Sequence, residues 1–274
     1  MIKLSAFSDE AGDSLKEQIE ALHRNNIEMT ELRTVEKRNV KLFTEAEARE
    51  MQATLRREGI GLSAVGSPLG KVSIADPFSQ TEEDLKHLCE LASIFETDRI
   101  RMFSFKKAHK ERKRVIEYLQ RMVEIAASYG VKLCHENEKG IYGDTAERVA
   151  DLMDSVQGLR FVYDPANFLQ VGETPDRTLE QFCDRCEYFH IKDVVLESGE
   201  LVPAGHGDGK IDALLKKIAH RDTILTVEPH LHIFGAYADI DGEEMKHRFH
   251  FQSNGEAFDM AVASLRKLMQ EAGC

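Results

Sequence analysis

Tryptophan is absent from this 274-residue chain, and proline occurs only six times. With so little proline and no Ser/Gly-rich stretch longer than a loop, nothing reads as an interdomain linker. One domain over residues 1–274 is therefore expected. No run of 18 apolar residues exists, which argues against a membrane-spanning helix, and the opening MIKLSAF lacks the apolar core of an export signal. No GxGxxG follows the first apolar run, so an open dinucleotide-binding sheet has no support. The five cysteines (Cys89, Cys134, Cys183, Cys186, Cys274) are odd in number and scattered, as expected of a reduced, cytoplasmic protein. Cys183 and Cys186 form a CxxC, but it has neither a second CxxC nor a thioredoxin-type setting, and it reads as two helix-end cysteines. Positive charge is also short: 36 Lys and Arg stand against 48 Asp and Glu, a net charge of −12. Such a field repels phosphate backbones and excludes nucleic acid as a natural partner. The one dense basic run, KKAHKERKR at 106–114, reads as the solvated start of a helix.

What is present is a repeating unit: an amphipathic helix, a Gly or Asn turn, then an apolar run. The junctions read RNNIEMTEL, REGIGLSAVG, SYGVKLCHE and VQGLRFVYD. A glycine after the last helical turn caps the helix in the left-handed conformation and leads into the next strand. Helical periodicity places Val115, Leu119, Met122, Ala126 and Tyr129 on one stripe, and Leu85, Leu88, Ala92 and Phe95 on another. Strands are expected at 2–7, 27–33, 60–66, 98–104, 131–136, 159–164, 186–191 and 222–228, with helices between and a last helix over about 255–271. Eight strands alternating with eight helices describe an α/β fold, the (β/α)8 TIM barrel, whose active sites lie at the C-terminal strand ends.

Four of the apolar runs end in a metal-ligand side chain: VKLCHE in Glu136, LRFVYD in Asp164, EYFHIKD at His190, and TILTVE in Glu228. Side chains alternate faces along a strand, so parity decides which of them can meet inside a barrel. Glu136 shares a face with Cys134, Asp164 with Val162, His190 with Lys192, and Glu228 with Thr226 and Ile224. All four can point inward at one end. Pro165 and Pro229 follow Asp164 and Glu228 and push each toward extended geometry at its strand's tip. A single strand-end carboxylate is ordinarily a solvated rim residue, and a single histidine ordinarily a satisfied core residue. Three acids and an imidazole of matching parity instead point to a divalent cation, because ionised carboxylates leave water only when paired or coordinated. Three oxygens and one nitrogen suit Mn²⁺ first, with Mg²⁺, Co²⁺, Fe²⁺ or Zn²⁺ as alternatives. Such an ion acidifies a C–H beside a carbonyl, and either glutamate is placed to move the proton.

In their order and spacing, these segments resemble the xylose-isomerase-like sugar phosphate isomerase/epimerase superfamily. The resemblance runs from FSDEAGDSLKEQIEAL through ELR, GSPLGK, HEN, YDPANF, FHIKD, GHGDGKID and VEPHL to FQSNGEAFDMAVASL. It implies metal ligands at Glu136, Asp164, His190 and Glu228, with Glu136 and Glu228 also the acid/base pair, and a small sugar or sugar-derived substrate. It further implies substrate-oxygen contacts from Lys192. Two departures matter: Asn167 stands where epimerases often carry a substrate-contacting histidine, and His206 lies in a GHG where GEG is common. HIKD leans toward dehydratase or lyase relatives of the same site. The resemblance leaves homo-oligomeric assembly open.

Arg33 in ELR and Arg101 in RIRMFSF are candidates for binding a substrate anion, and His230, of Glu228's parity, for a substrate contact. The loop formed by Ser67 and Pro68 reads equally as substrate wall or plain turn. The stretch 231–253 is long for a βα loop and reads as a lid carrying His232, His247 and His250 as solvated residues. Phosphodiester hydrolysis would require more histidines and a basic face than strands two to four and the net charge supply. A sugar-binding relative without turnover is disfavoured by the intact glutamate pair.

Overall fold

The structure is a computed structural model and describes residues 1–234 and 246–274. Eight strands close a barrel: β1 Ile2–Ala6, β2 Met29–Leu32, β3 Gly61–Gly66, β4 Arg99–Met102, β5 Lys132–Glu136, β6 Arg160–Tyr163, β7 Tyr188–Ile191 and β8 Thr223–Val227. Every neighbouring pair is parallel. The seam closes where β1 lies along β8 in the register Ile2↔Thr223 to Ala6↔Val227. Parallel strands need crossovers, and the helices supply them: α1 Leu15–Arg24, α2 Glu45–Arg57, α3 Phe78–Ile94, α4 Arg112–Ser128, α5 Ala146–Ser155, α6 Pro165–Gln170, α7 Pro175–Phe182, α8 Ile211–Ile218 and α9 Asn254–Ala272. Each expected strand is present, trimmed by one or two residues at its ends.

The helices begin and end for local reasons. Ser14 and Thr44 make reciprocal capping boxes with Glu17 and Glu47 at α1 and α2, satisfying backbone donors that the first turn leaves unpaired. The expected stripes bury Val115, Leu119, Met122 and Ala126 on α4, and Leu85, Leu88 and Ala92 on α3. Phe95 and Tyr129 each cap the end of their helix, and Phe95 is buried with its stripe whereas Tyr129 is exposed. Two features have no counterpart in the sequence reading. The crossover after β6 is broken into α6 and α7 at Gly172, whose φ of +82° an L side chain rarely adopts. Short hairpins also extend the loops after β2 (34–39) and β7 (193–202).

The barrel interior divides along its axis. Its lower part is an apolar layer of Ala64, Cys134, Val162 and Tyr188, with Ile224 packed against it, and these are the inward partners that parity assigns to the site residues above. Cys183 and Cys186 are buried free thiols around the short turn that follows α7, in line with a structural role. Among the described residues, no helix is long and apolar enough to cross a membrane.

Candidate metal centre

The four strand ends deliver their side chains to one place. Glu136, Asp164, His190 and Glu228 each offer a ligand atom within 4.8 Å of the others, and all four are buried. His190 Nδ1 lies 3.2 Å from Glu136 Oε1 and 3.0 Å from Glu228 Oε2, so the two glutamates flank the ring. Asp164 closes β6 and caps α6: its Oδ1 accepts from Asn167 N at 2.9 Å, which turns Oδ2 toward the cluster. The Asn137 side chain then holds Asp164 in place. Its Oδ1 accepts from Asp164 N and its Nδ2 donates to Asp164 O, both at 2.9 Å.

A shell of side chains orients the four. Glu31, from β2, is bonded to His190 Nε2 at 3.1 Å and accepts from Tyr188 Oη at 3.0 Å and Thr226 Oγ1 at 3.1 Å. A carboxylate behind the ring fixes which nitrogen faces a metal. Asn167 Nδ2 donates to Glu136 Oε1 at 3.1 Å and to Asn137 O at 2.9 Å. Arg101 stands beside Glu136 and Glu31, its Nε 3.4 and 3.8 Å from them. Arg33 makes a fork on Asp9 at 2.9 and 3.0 Å, and reaches Glu10 at 3.2 Å and Glu228 Oε1 at 3.0 Å. Its guanidinium also lies over the Phe7 ring, 4.2 Å from the centroid.

Lys192 Nζ is 2.9 Å from Asp164 Oδ2 and 4.0 Å from Glu228 Oε2. His230, in the left-handed region at φ +48°, has Nε2 within 3.5 Å of Glu228 Oε1 and 3.3 Å of Glu10 Oε1. Of the residues singled out from sequence, Glu136, Asp164, His190, Glu228, Lys192, Asn167, Arg33 and His230 are thus brought together. His206 is not: it stands exposed on the loop after β7, edge-on to Phe249, with no contact to the cluster. Ser67 turns into the fold, its Oγ donating to Arg101 O at 2.7 Å. His232 is half-buried and His250 exposed, while His247 bonds to His230 O; part of the expected lid, 235–245, lies outside the described residues.

Sequence reasoning missed Glu31, Asp9, Glu10, Asn137 and Asp193. Glu31 had a signal, since it sits two residues from Arg33 in ELR and shares its parity. Asp9 and Glu10 lie in a one-turn 3-10 helix after β1, Asn137 just past β5 and Asp193 at the start of the hairpin after β7, so the parity of the barrel strands carries no information about them.

Crowding shifts the acid–base chemistry. Burial opposes ionisation of Glu136, but His190 and Arg101 outweigh it and hold its carboxyl down at about 2. Glu228 is likewise held well below the usual range, by Lys192 and His190 against the effect of burial. Asp164 goes the other way. Burial, with the charges of Glu136 and Glu228, pushes it up to about 7 despite Lys192. Burial disfavours charge on His190 too, yet Glu31, Glu136 and Glu228 raise it well above its ordinary value. Without a metal, the imidazolium is therefore the cation at the centre of the carboxylates.

This donor set fits a divalent ion. Asp164 Oδ2, His190 Nδ1 and Glu228 Oε2 are buried, and none has a hydrogen bond of acceptable geometry, although charged atoms lie close by. Buried polar atoms seldom lack partners, and three from one cluster mark the position where a cation satisfies them together. Glu10, Glu228 and His230 form a second group of similar compactness, but the Arg33 guanidinium already bonds to both of its carboxylates.

Comparison with known proteins agrees with this architecture. The family model described as xylose isomerase-like TIM barrel matches residues 19–248. An inosose dehydratase from Geobacillus kaustophilus (strain HTA426) is 31% identical over 90 residues, which span 32% of this chain and 29% of that protein. Among solved structures, the probable 3-DHS dehydratase AsbF from Bacillus anthracis superposes with a TM-score of 0.74 at 17% identity, covering 97% of this chain and 98% of that one. The IOLI protein with a bound zinc atom gives 0.73 at 17% identity, covering 98% of each chain. An L-ribulose 3-epimerase gives 0.75 at 14%, over 99% and 95%. With a closed eight-stranded barrel and a family match across most of its length, this chain belongs to the xylose isomerase-like TIM-barrel family.

Proposed function

We propose that this protein is a divalent-metal-dependent isomerase or epimerase of a small sugar or sugar-derived ketone, working as one domain over residues 1–274 in the cytoplasm. The observation that carries the reading is the convergence of Glu136, Asp164, His190 and Glu228, of which Asp164, His190 and Glu228 each present a buried atom that lacks a hydrogen bond. Those four residues hold the ion, Mn²⁺ best by donor type, with Mg²⁺, Co²⁺, Fe²⁺ or Zn²⁺ as alternatives. When bound, a divalent ion polarises a substrate carbonyl and acidifies the neighbouring C–H.

The chain's own groups do the rest. Glu136 and Glu228 flank His190 and are both held in the carboxylate form, able to accept a proton. In an isomerisation the glutamate that takes the proton from carbon returns it to the neighbouring carbon. In an epimerisation the opposite glutamate first gains a proton from a substrate hydroxyl or solvent and delivers it to the other face, while the first gives its proton back to solvent. Arg33 fixes Glu228 on the side away from the cluster, and Asn167 fixes Glu136. Burial of the whole group limits the screening of its charges by bulk water.

A second reading, dehydration or lyase chemistry, is favoured by Lys192. Its ammonium lies against Asp164 and Glu228, where it can give a proton to a departing hydroxyl, so that the substrate loses water. The test is mass spectrometry after metal-loaded protein is incubated in D₂O with ketoses, inososes and 3-keto-glycosides. Uptake of one deuterium without other change supports the isomerase or epimerase. Loss of water, or of an aglycone, moves the assignment to the second reading. Neither change with any compound would remove both.

A further inference from the structure

We propose that the substrate carries no phosphate: the site takes a neutral polyhydroxylated ketone. This rests on the reading of the site given above and narrows its substrate class. Two independent observations lead to it, the state of the loop where a barrel of this kind binds phosphate and the pairing of the buried cations.

Barrels that bind phosphate esters commonly do so with the loops after their seventh and eighth strands, using backbone N–H groups and a helix N-terminus. The glycine-rich loop after β7, GHGDG at 205–209, has that composition. Its amides are already committed to an anion of the protein's own. Asp193 Oδ2 accepts from Gly205 N at 2.9 Å and Gly207 N at 3.1 Å, and Oδ1 accepts from Gly209 N and Val194 N, both at 2.9 Å. The approach is so close that a Cβ on Gly207 would collide with the carboxylate. An internal carboxylate thus occupies the concavity that would cradle a phosphate. The next helices are no more receptive. Asp212 sits in the first turn of α8 and Glu256 in that of α9, while Lys210, beside the loop, is bonded to Asp176.

The buried cations are also committed. Arg33 is taken by Asp9, Glu10 and Glu228, Arg101 stands against Glu136 and Glu31, Lys192 against Asp164, and Lys71 against Glu138 at 2.8 Å. Each of these four cations thus already faces at least one carboxylate of the protein, and a phosphate dianion brought among them would have to compete with those carboxylates in a site of low dielectric. The basic run at 106–114 is mostly exposed and offers its charges to solvent. What the cluster does offer a substrate is hydrogen-bonding polar groups, which suit hydroxyls.

The test compares matched pairs on Mn²⁺-loaded protein. Turnover is read as deuterium exchange with free ketohexoses and their 6-phosphates. Binding is read by calorimetry with an unreactive pair, D-glucitol and D-glucitol 6-phosphate. The free ketose should exceed its phosphate in kcat/KM by at least about tenfold, and the hexitol should bind no more weakly than its phosphate. A tenfold preference for either phosphate, retained in a Lys110→Ala/Lys113→Ala variant, would overturn the inference while leaving the metal-dependent reaction intact. A preference erased by that variant belongs to the exposed basic run and leaves the inference standing. If no sugar turns over, the proposed reaction fails, and the calorimetric pair still decides whether phosphate has a place.

Discussion

The two ends of the barrel interior are built from the same strands and ask opposite things of their side chains. In the lower layer, Ala64, Cys134, Val162 and the ring of Tyr188 meet as apolar surfaces that fill space, while the Tyr188 hydroxyl reaches up to Glu31. One step further along the same strands, Glu136, Asp164, His190 and Glu228 meet as charged groups, and an atom of each of the last three lacks a hydrogen bond. Packing alone satisfies the first layer. The second needs a cation at its centre, and its four residues form a group that could hold a metal ion. Stability and function therefore occupy adjacent layers of one scaffold, and substitutions should separate them.

The largest effect is expected from Glu228→Gln. Losing a ligand and a base together should lower exchange by about 10²–10⁴-fold while the far-UV circular dichroism stays native. Unchanged turnover in that variant would sink the mechanism. Glu31→Gln should act through His190: metal affinity, read by competition with a chelating dye, should fall about 10–100-fold. If affinity held while only the melting temperature dropped, Glu31 would belong with the packing layer instead.

Val162→Ala works from the other side. It should cost about 2 kcal/mol in a urea titration and leave metal affinity within about twofold. A large loss of metal with that change would mean that the two layers are not separable.

Proton competition gives a gentler test. Asp164, raised to about 7 by burial and its acidic neighbours, must give up its proton to bind a cation, and so must His190. Both folded values lie above the ordinary ones, so protonation persists to higher pH than in the unfolded chain. Metal affinity should then rise with pH by at least about tenfold per unit below pH 7, with proton release on binding seen as a buffer-dependent heat. A flat profile from pH 5 to 8 would contradict the account of Asp164.

Much of this site is readable in the chain because strand parity is a local property. The alternation in VKLCHE, LRFVYD and TILTVE places one ligand each on the inner face, and the prolines after Asp164 and Glu228 fix where those strands stop. The same rule yields the lower layer, since Cys134 and Val162 are two residues upstream of Glu136 and Asp164.

What the sequence by itself determined is therefore the barrel, the end at which chemistry sits and the four residues that converge there, because each follows from periodicity within a few residues. Only the tertiary structure decided the pairings: Glu31 behind His190 across 159 residues, Arg33 on Glu228 across 195, and Asp193 filling the glycine loop. The physical reason is that a charge chooses its partner by distance in space, and closing the barrel brings together groups whose separation along the chain carries no trace of that choice.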